Sequence, residues 1–468
     1  MPDDRDLVVL GGGPGGYAAA FAAADLGLKV TLVDDAANPG GVCLYRGCIP
    51  SKTLLHVARL LREANEAASY GVAFGPPTLD LARLREHKEQ VVLKLTGGLG
   101  QLARQRRVAF LRGRGRFTAE HTLTVARPDG GEERVDFGQA IIATGSLPRT
   151  LPQLEGLGDL VWDSTAALEL REVPRRLLVV GGGYIGVELA SVYRALGSEV
   201  TLVEVTDGLL PGVDRDLVRP LGQRLAGDAR ILLKTSVAAV ARDGAALRVT
   251  LESAGRESET VLADRVLQSV GRSPQTAGLG LDALGLAPDA QGFLRVDGQR
   301  RTAIPHIFAI GDVAGQPMLA HKASHEGRVA AEAAAGRKTA YEPRAIPAVV
   351  FTDPEIAWTG MTESQAAAEG LAVQVGRFPW GASGRAATLG RSDGLTKIVA
   401  ERDSGRVLGV GIVGPGAGEL IAEGALAIEL GAVAEDLAST IHPHPTLSET
   451  VMEAAESILG HATHYYGR

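Results

Sequence analysis

Leu7-Val8-Val9-Leu10 runs into Gly11-Gly12-Gly13-Pro14-Gly15-Gly16, and an alanine-rich stretch follows to Leu26-Gly27. Val30-Thr31-Leu32-Val33 then ends at Asp34. The apolar runs read as two short strands and the stretch between them as a helix. A shift of 170 positions repeats the pattern without a gap. The second copy is Leu177–Val180, Gly181-Gly182-Gly183-Tyr184-Ile185-Gly186, a helix to Leu196-Gly197, and Val200-Thr201-Leu202-Val203 ending at Glu204. Each copy sets glycines between strand and helix, with an acidic residue about 20 positions on, the context that a dinucleotide fingerprint requires. Gly11, Gly13 and Gly16, and likewise Gly181, Gly183 and Gly186, let the backbone approach a pyrophosphate, whose charge the helix N-terminus favours. Asp34 and Glu204 stand where a carboxylate meets ribose hydroxyls. Val205, Thr206 and Asp207 follow Glu204. With no cation there for a 2′-phosphate, the second copy reads as a site for NAD rather than NADP.

The chain has 468 residues, room for roughly three domains of about 100–200 residues each. Its 48 basic and 55 acidic residues give a net charge of −7, and no block of like charge stands out. Neither nucleic acid nor an anionic membrane surface is therefore expected as a partner. Apolar residues make up 45% and charged residues 22%, a globular composition rather than a disordered one. The 60 glycines, about 13% against a usual ~7%, show no Gly-X-Y period and serve turns and close backbone approaches. Leu7 to Ala24 carries no charge, but it holds five glycines and a proline and follows Asp3, Asp4 and Asp6 with only Arg5 as a cation. Neither a membrane span nor a signal peptide fits, so a soluble, cytoplasmic protein is expected.

The fold class follows from these patterns: α/β, with two Rossmann-like dinucleotide-binding domains and a C-terminal α+β domain. Helical periodicity covers His56–Tyr70 and Leu81–Arg106, and Val108–Arg134 reads as strands and turns. A strand over Gln139–Ala143 runs into Thr144-Gly145-Ser146, and Arg149–Asp159 reads as a linker. Ile307–Ile310 predicts a strand ending at Gly311-Asp312, ahead of a helix over Leu319–Ala335. After Pro347 come short β segments, then helices from Glu419 and from Thr446. The expected units are 1–148 and 149–275 for the two dinucleotide domains, 276–346 as a segment completing the first, and 347–468 as the last domain.

Both cysteines fall in Gly40-Gly41-Val42-Cys43-Leu44-Tyr45-Arg46-Gly47-Cys48-Ile49-Pro50-Ser51-Lys52. Two cysteines exclude a disulfide-stapled scaffold and a Cys₄ zinc site. In a regular helix positions i and i+5 lie roughly 8–9 Å apart. A disulfide needs Cα atoms within about 7 Å. A 43–48 bridge therefore needs a distorted helix or a loop, which Gly40, Gly41 and Gly47 permit. A close pair in a cytosolic protein suits redox chemistry better than a structural bridge. Incidental thiols are the second reading. A metal site is the third and is not expected, since no histidine lies closer than His56.

The pattern Gly-Gly-x-Cys-x₄-Cys-Ile-Pro-Ser-Lys after a dinucleotide fingerprint resembles the pyridine nucleotide–disulfide oxidoreductases. The resemblance runs nearly end to end. It takes in Ala143-Thr144-Gly145-Ser146-x-Pro148, Gly181–Glu188, Val270-Gly271-Arg272-x-Pro274, Ala309-Ile310-Gly311-Asp312 and Pro317–Ala323. It continues through Phe351–Ala357, Gly414–Ile421 and His442-Pro443-His444-Pro445-Thr446-Leu447-Ser448-Glu449. The last motif is similar to that of members which oxidise dihydrolipoyl groups and reduce NAD⁺. The resemblance implies FAD on the first turn, NAD on the second and a redox disulfide Cys43–Cys48. It also implies a homodimer and, as partners, lipoyl-bearing proteins of a 2-oxo acid dehydrogenase complex or glycine cleavage system. The fold implied for the last domain is a dimerisation domain. With the first turn at residue 11, no lipoyl domain is expected ahead of it. The tail His461–Arg468 lacks the extra cysteines of some relatives. NADH-driven diaphorase activity is implied as a side reaction.

Residue by residue, the resemblance makes Cys43 the interchange sulfur and Cys48 the sulfur beside the flavin. Lys52 is similar to the family lysine near the flavin, and Glu188 to the acid that pairs with it. Gly145, Ser146 and Gly271 fall in cofactor-binding motifs. Asp312 resembles the residue that holds the ribityl chain, and Ala320 and His321 the segment beside the flavin ring. Plainer roles suit several of these: Lys52 as a solvated lysine, Asp312 as a helix N-cap, Glu188 at a helix dipole and Arg272 as a loop cation. A base must take a thiol proton, and histidine titrates in the right range. Spacing does not choose between His442 and His444. The family pattern picks His444, with Glu449 orienting it and His442 as a neighbour. Thr446-x-x-Glu449 also reads as a capping box. The chain departs from the family at Asp34, where glutamate is common, and at Tyr45 and Gln275, where asparagine is usual.

Overall fold

In the computed structural model, which describes residues 6–466, the strand Asp6–Leu10 sits at the centre of a five-stranded parallel sheet. The order is Ile307–Ala309, Gln139–Ile142, Asp6–Leu10, Lys29–Asp34, Ala109–Arg112. Val8, Val9, Leu32 and Ile141 are all buried, as apolar strands covered on both faces must be. The second sheet repeats the plan, in the order Arg230–Leu233, Glu199–Glu204, Arg176–Val180, Arg265–Gln268, Val161–Trp162. Register repeats too: Leu10 faces Val33 in the first sheet, and Val180 faces Val203 in the second. Each central strand feeds a twelve-residue helix, Pro14–Asp25 or Tyr184–Ala195.

Antiparallel elements complete the halves. Arg114–Ala119, Thr122–Ala126 and Glu132–Asp136 form one three-stranded sheet, and a second spans Thr235–Asp243, Ala246–Ser253 and Glu259–Ala263. Ser146–Pro148 pairs with Arg272–Pro274 in a two-stranded ribbon joining the halves. The C-terminal sheet has the order Ala348–Val350, Ile356–Gly360, Val407–Val413, Leu395–Glu401, Val373–Pro379, all antiparallel. Helices Ala417–Leu430 and Glu449–Leu459 pack on it.

Some boundaries differ from the expected ones. The stretch expected as a linker holds two 3₁₀ turns, Pro152–Leu154 and Gly158–Leu160. The helix expected from Glu419 starts at Ala417, and the last one starts at Glu449 rather than Thr446. The reason for the second shift is local. The Thr446 hydroxyl lies against the Pro443 carbonyl, to which it donates, and against Ser448, and the helix N-cap is Ser448, with no side-chain cap bond. Only the reverse half of the capping box forms, with Glu449 Oε2 accepting from the Thr446 amide at 2.7 Å.

The second half is fastened to the C-terminal domain by a buried charge cluster. Lys397, on the C-terminal sheet, has a side chain only 2% exposed. Its Nζ lies 2.6 Å from Asp214 and 2.7 Å from Asp216, at the start of helix Arg215–Asp228. A lysine is buried this deeply only when paired. Burial alone would raise both aspartates, but the Lys397 contact holds them below the ordinary carboxylate range.

Candidate active site

At the first turn Gly11 has φ +107°, and a Cβ there would lie 2.3 Å from the Ala143 carbonyl oxygen. A Cβ at Gly16 would sit 1.8 Å from the Gly11 oxygen, so helix and turn touch through bare backbone. Asp34 ends its strand with Oδ2 accepting from the Gly12 amide at 2.6 Å and Oδ1 from Ala36 at 2.9 Å. Burial nevertheless pushes the Asp34 carboxyl above its ordinary value. The turn opens into a cavity of about 640 Å³ that reaches both cysteines. That volume lies in the range of about 300–1,000 Å³ typical of small-molecule and cofactor pockets.

The cysteine segment rests on that turn. The Gly40 amide donates to the Gly12 carbonyl at 2.7 Å, and a Cβ on Gly41, at φ +57°, would come within 2.4 Å of the Gly13 Cα. Two helices, Gly41–Arg46 and Cys48–Glu66, break at Gly47. The break departs from a regular helix in the way a 43–48 contact needs. Unbridged, the two cysteines lie close enough to act on each other's ionisation. Side-chain interaction with Cys48 raises Cys43, and burial raises it further. The same interaction lowers Cys48 to about 7; Lys52 acts in the same direction, against burial and Glu188. Of the two sulfurs, Cys48 is thus the one whose thiolate is favoured, inside the cavity that the glycine turn opens.

Three parts of the chain meet beside it. Lys52 Nζ lies 3.1 and 2.9 Å from the Glu188 oxygens and 4.6 Å from the centre of the Phe351 ring. Glu188 Oε1 also accepts from the Phe351 amide at 2.9 Å. Lys52 is therefore paired rather than merely solvated, and Glu188 spans between domains. Tyr45 lines the cavity, and its hydroxyl accepts from the Asn38 amide at 3.2 Å and donates to the Asn38 carbonyl at 3.1 Å. The substituted residue thus closes the loop ahead of the cysteines.

Deeper in the cavity Ser146 Oγ donates to Asp312 at 2.5 Å, and Arg272 Nε donates to the same Oγ at 2.7 Å. Arg272 also holds the Ser146 carbonyl at 2.6 Å, so it is no ordinary loop cation. Asp312 belongs to a 3₁₀ turn, Gly311–Val313, and does not cap the helix Ala320–Ala334, whose N-cap is Leu319. Glu326 supports this turn by accepting from the Gly311 amide at 2.6 Å, with Lys322 and Arg300 each 3.0 Å away. No sequence cue pointed to Glu326 beyond its place four residues after Lys322. Gly145 and Ala320 line the cavity; Gly271 and His321 do not. Gly271 instead accepts from the Arg149 amide at 3.0 Å. His321 Nε2 meets the Pro347 carbonyl at 2.7 Å, and burial lowers its pKa.

The second turn copies the first. Gly181 has φ +107°, and a Cβ at Gly186 would lie 1.9 Å from the Gly181 oxygen. Glu204 accepts from the Gly182 amide at 2.6 Å and from Thr206 at 2.8 Å. A Cβ on Gly183 would meet nothing within 4 Å. The glycines of this turn do not line the cavity, which this half meets through Tyr184, Ile185, Glu188 and Leu189 of the following helix, Ser164 and Leu168 before it, and Arg272 and Gln275 at the ribbon.

The histidines separate cleanly. His442 has a side chain 5% exposed, with Nε2 2.8 Å from Glu423 and Nδ1 2.8 Å from the Thr440 carbonyl, so both nitrogens are engaged. His444 is 74% exposed, and only its Nδ1 is engaged, 2.9 Å from Glu449 Oε1. Burial would raise Glu449, but its bond from the Thr446 amide and the pairing with His444 lower it overall. Neither His444 nor Glu449 lines the cavity of its own chain.

A glycine turn, a cysteine pair and a cavity joining them are what a flavin-dependent disulfide oxidoreductase needs. Residues 5–327 match the pyridine nucleotide-disulphide oxidoreductase family and residues 346–455 its dimerisation domain, and the chain belongs to this family. It is 47% identical to the dihydrolipoyl dehydrogenase of Vibrio parahaemolyticus over 98% of this chain and 96% of the relative. Against the dihydrolipoyl dehydrogenase of Halobacterium salinarum the identity is also 47%, over 99% and 98%. The crystal structure of LpdA from Mycobacterium tuberculosis matches with a TM-score of 0.89 at 30% identity, covering 97% of this chain and 99% of that one. The chain is an FAD-dependent, NAD-linked oxidoreductase. Its residues fit FAD: a glycine cradle that a Cβ would fill, a carboxylate at the strand end and a cavity leading to the thiols. Among the described residues no helix is long and apolar enough to cross a membrane.

Proposed function

We propose that this chain oxidises protein-bound dihydrolipoyl groups to lipoyl groups and delivers the electron pair to NAD⁺. The observation that carries the reading is geometric: Cys43 and Cys48, set on either side of the break at Gly47, line with Lys52 the cavity that opens at the first glycine turn. Cys43 and Cys48 form the redox disulfide. Glu449 keeps His444 Nδ1 occupied and leaves Nε2 to take the proton of a dihydrolipoyl thiol. The resulting thiolate attacks Cys43 Sγ. A bond forms between the two sulfurs, the Cys43–Cys48 bond breaks, and Cys48 leaves as a thiolate that Lys52 stabilises. The second substrate thiol attacks the first substrate sulfur, the lipoyl disulfide closes, and Cys43 is released carrying the proton. Re-forming the Cys43–Cys48 bond, with loss of the Cys43 proton, gives up two electrons, and FAD when bound would supply the relay for them to NAD⁺.

The first turn with Asp34, Gly145, Ser146, Asp312 and Ala320 would hold FAD. The second turn with Glu204 would hold NAD. Lys52 and Glu188 would stand between them. In this reading the chain divides into 1–148, 149–275, 276–346 and 347–468, works in the cytoplasm and serves a 2-oxo acid dehydrogenase complex or glycine cleavage system. The steady-state test compares NAD⁺ with NADP⁺ as acceptor for dihydrolipoamide. Turnover with NAD⁺ at least tenfold above NADP⁺ is expected, and no turnover with either would end the proposal.

The active form is a homodimer in which His444 serves the partner's disulfide. Its position outside its own cavity supports this, as do the dimerisation-domain match and the exposed apolar residues Leu426, Leu430 and Ile441, the last 96% exposed. Mixing inactive Cys48→Ser and His444→Gln proteins under subunit exchange is expected to restore activity, because each mixed dimer holds one intact site. No recovery despite proven exchange would refute the arrangement.

A further inference from the structure

We propose that Glu120, His121 and His306 bind a divalent transition-metal ion of the zinc or copper class, at a place unrelated to the dithiol. Glu120 and His121 form the turn between strands Arg114–Ala119 and Thr122–Ala126. His306 stands just before strand Ile307–Ala309, in a segment distant in sequence. The fold brings one ligand atom from each to within 4.8 Å of the other two. None of the three lines the cavity.

Hydrogen bonding settles which nitrogens are free. His121 Nδ1 lies 3.0 Å from the Phe137 carbonyl oxygen, and His306 Nε2 lies 3.1 Å from the Glu120 carbonyl oxygen. A carbonyl only accepts, so each of these nitrogens carries the proton. The remaining nitrogens, His121 Nε2 and His306 Nδ1, then hold lone pairs when the rings are neutral. This is the arrangement of metal-binding histidines, which donate their second N–H to a carbonyl or carboxylate. The rings lie 4.2 Å apart at 16°.

Ligands at about 2.0–2.1 Å in tetrahedral array lie roughly 3.4 Å apart, so atoms within 4.8 Å of one another need to close by at most about 1.4 Å around the ion. Glu120 is exposed and sits with His121 on a hairpin turn, where side chains can make that adjustment. Two imidazoles and a carboxylate suit zinc with water in the fourth position, and copper(II) binds such a set more tightly. The bound ion would clip the hairpin to the strand that closes the edge of the first sheet.

The test uses oxidised holoenzyme, in which the disulfide offers no thiolate. Equilibrium dialysis against 100 μM Zn²⁺ is expected to leave one bound equivalent per chain, lost in His121→Ala and in His306→Ala. Zn²⁺ is also expected to raise the melting temperature of the unsubstituted protein and not of the variants. One equivalent of Cu²⁺ on the unsubstituted protein provides a check that needs no variant: its EPR spectrum should show coupling to two imidazole nitrogens. No zinc bound, full binding by folded variants, or a copper spectrum without two nitrogens would each overturn the site.

Discussion

The two glycine turns are near copies in backbone and differ in what surrounds them. Gly11 and Gly181 share φ +107°, the carboxylates of Asp34 and Glu204 each take a glycine amide at 2.6 Å, and the clash that a Cβ would make at Gly16 recurs at Gly186. The cysteine segment lies against the first turn, with Gly41 packed on Gly13, and the cavity starts there. Over Gly183 there is open space. The second turn is also covered, with the Leu210 amide donating to the Gly182 carbonyl at 2.9 Å as Gly40 does to Gly12, but glycines of the first turn line the cavity and those of the second do not. The expected consequence is that the cysteine segment roofing the first turn retains its dinucleotide while the second turn exchanges its own.

The sharpest way to break this comparison is to damage both turns equally. Gly16→Ala and Gly186→Ala meet carbonyl oxygens at 1.8 and 1.9 Å, which backbone cannot relieve. The first is expected to purify with flavin below a tenth of an equivalent. The second is expected to stay yellow and lose NAD⁺ turnover more than tenfold. Equal flavin content in the two variants, read from absorbance, would show that the roof makes no difference.

Glu204→Arg is expected to have the next largest effect. It removes two charge-assisted bonds, each typically worth about 1.5–3 kcal/mol. A drop of about 10–100-fold in kcat/KM for NAD⁺ is expected, with NADP⁺ gaining. A smaller effect belongs to the bridge between the repeats. Lys52→Met is expected to move Cys48 from about 7 upward, because Lys52 lowers it, while Glu188→Gln moves it downward, because Glu188 raises it. Alkylation rate against pH in the reduced enzyme measures both, and shifts of the same sign would contradict the electrostatic account. The smallest change is Asp34→Glu, which restores the family's usual side chain. FAD affinity of the apoprotein is expected within about threefold of the original, since the carboxylate keeps its amide donors and charge.

Much of this was readable before any coordinates. Both turns, their strands and the segment from Gly40 to Lys52 are local patterns, and local patterns survive in one dimension. His442 and His444 were not separable, because their difference lies in what faces them: Glu423 and Thr440 fill both nitrogens of His442. The direction of His321 was also hidden, since Pro347 comes from another segment. Glu326 and Lys397 were missed for the same reason. Each looks like a surface charge until partners far along the chain are brought to it. The late start of the last helix turned on one hydroxyl choosing the Pro443 carbonyl. Arg272 was readable as a motif member, but not as the residue that locks Ser146 against Asp312.

The Lys397 cluster has a bearing on how the protein comes apart in acid. Asp214 and Asp216 are held below the ordinary value of 3.8. Their contribution to stability is complete above that value and is lost as the pH falls through their lower, folded values. Protonation there leaves a buried ammonium with Glu363, at 3.4 Å, as its remaining carboxylate partner. The seam between the second nucleotide half and the C-terminal domain is therefore a built-in cleavage plane. Acid is expected to open it, parting the second nucleotide half from the C-terminal domain.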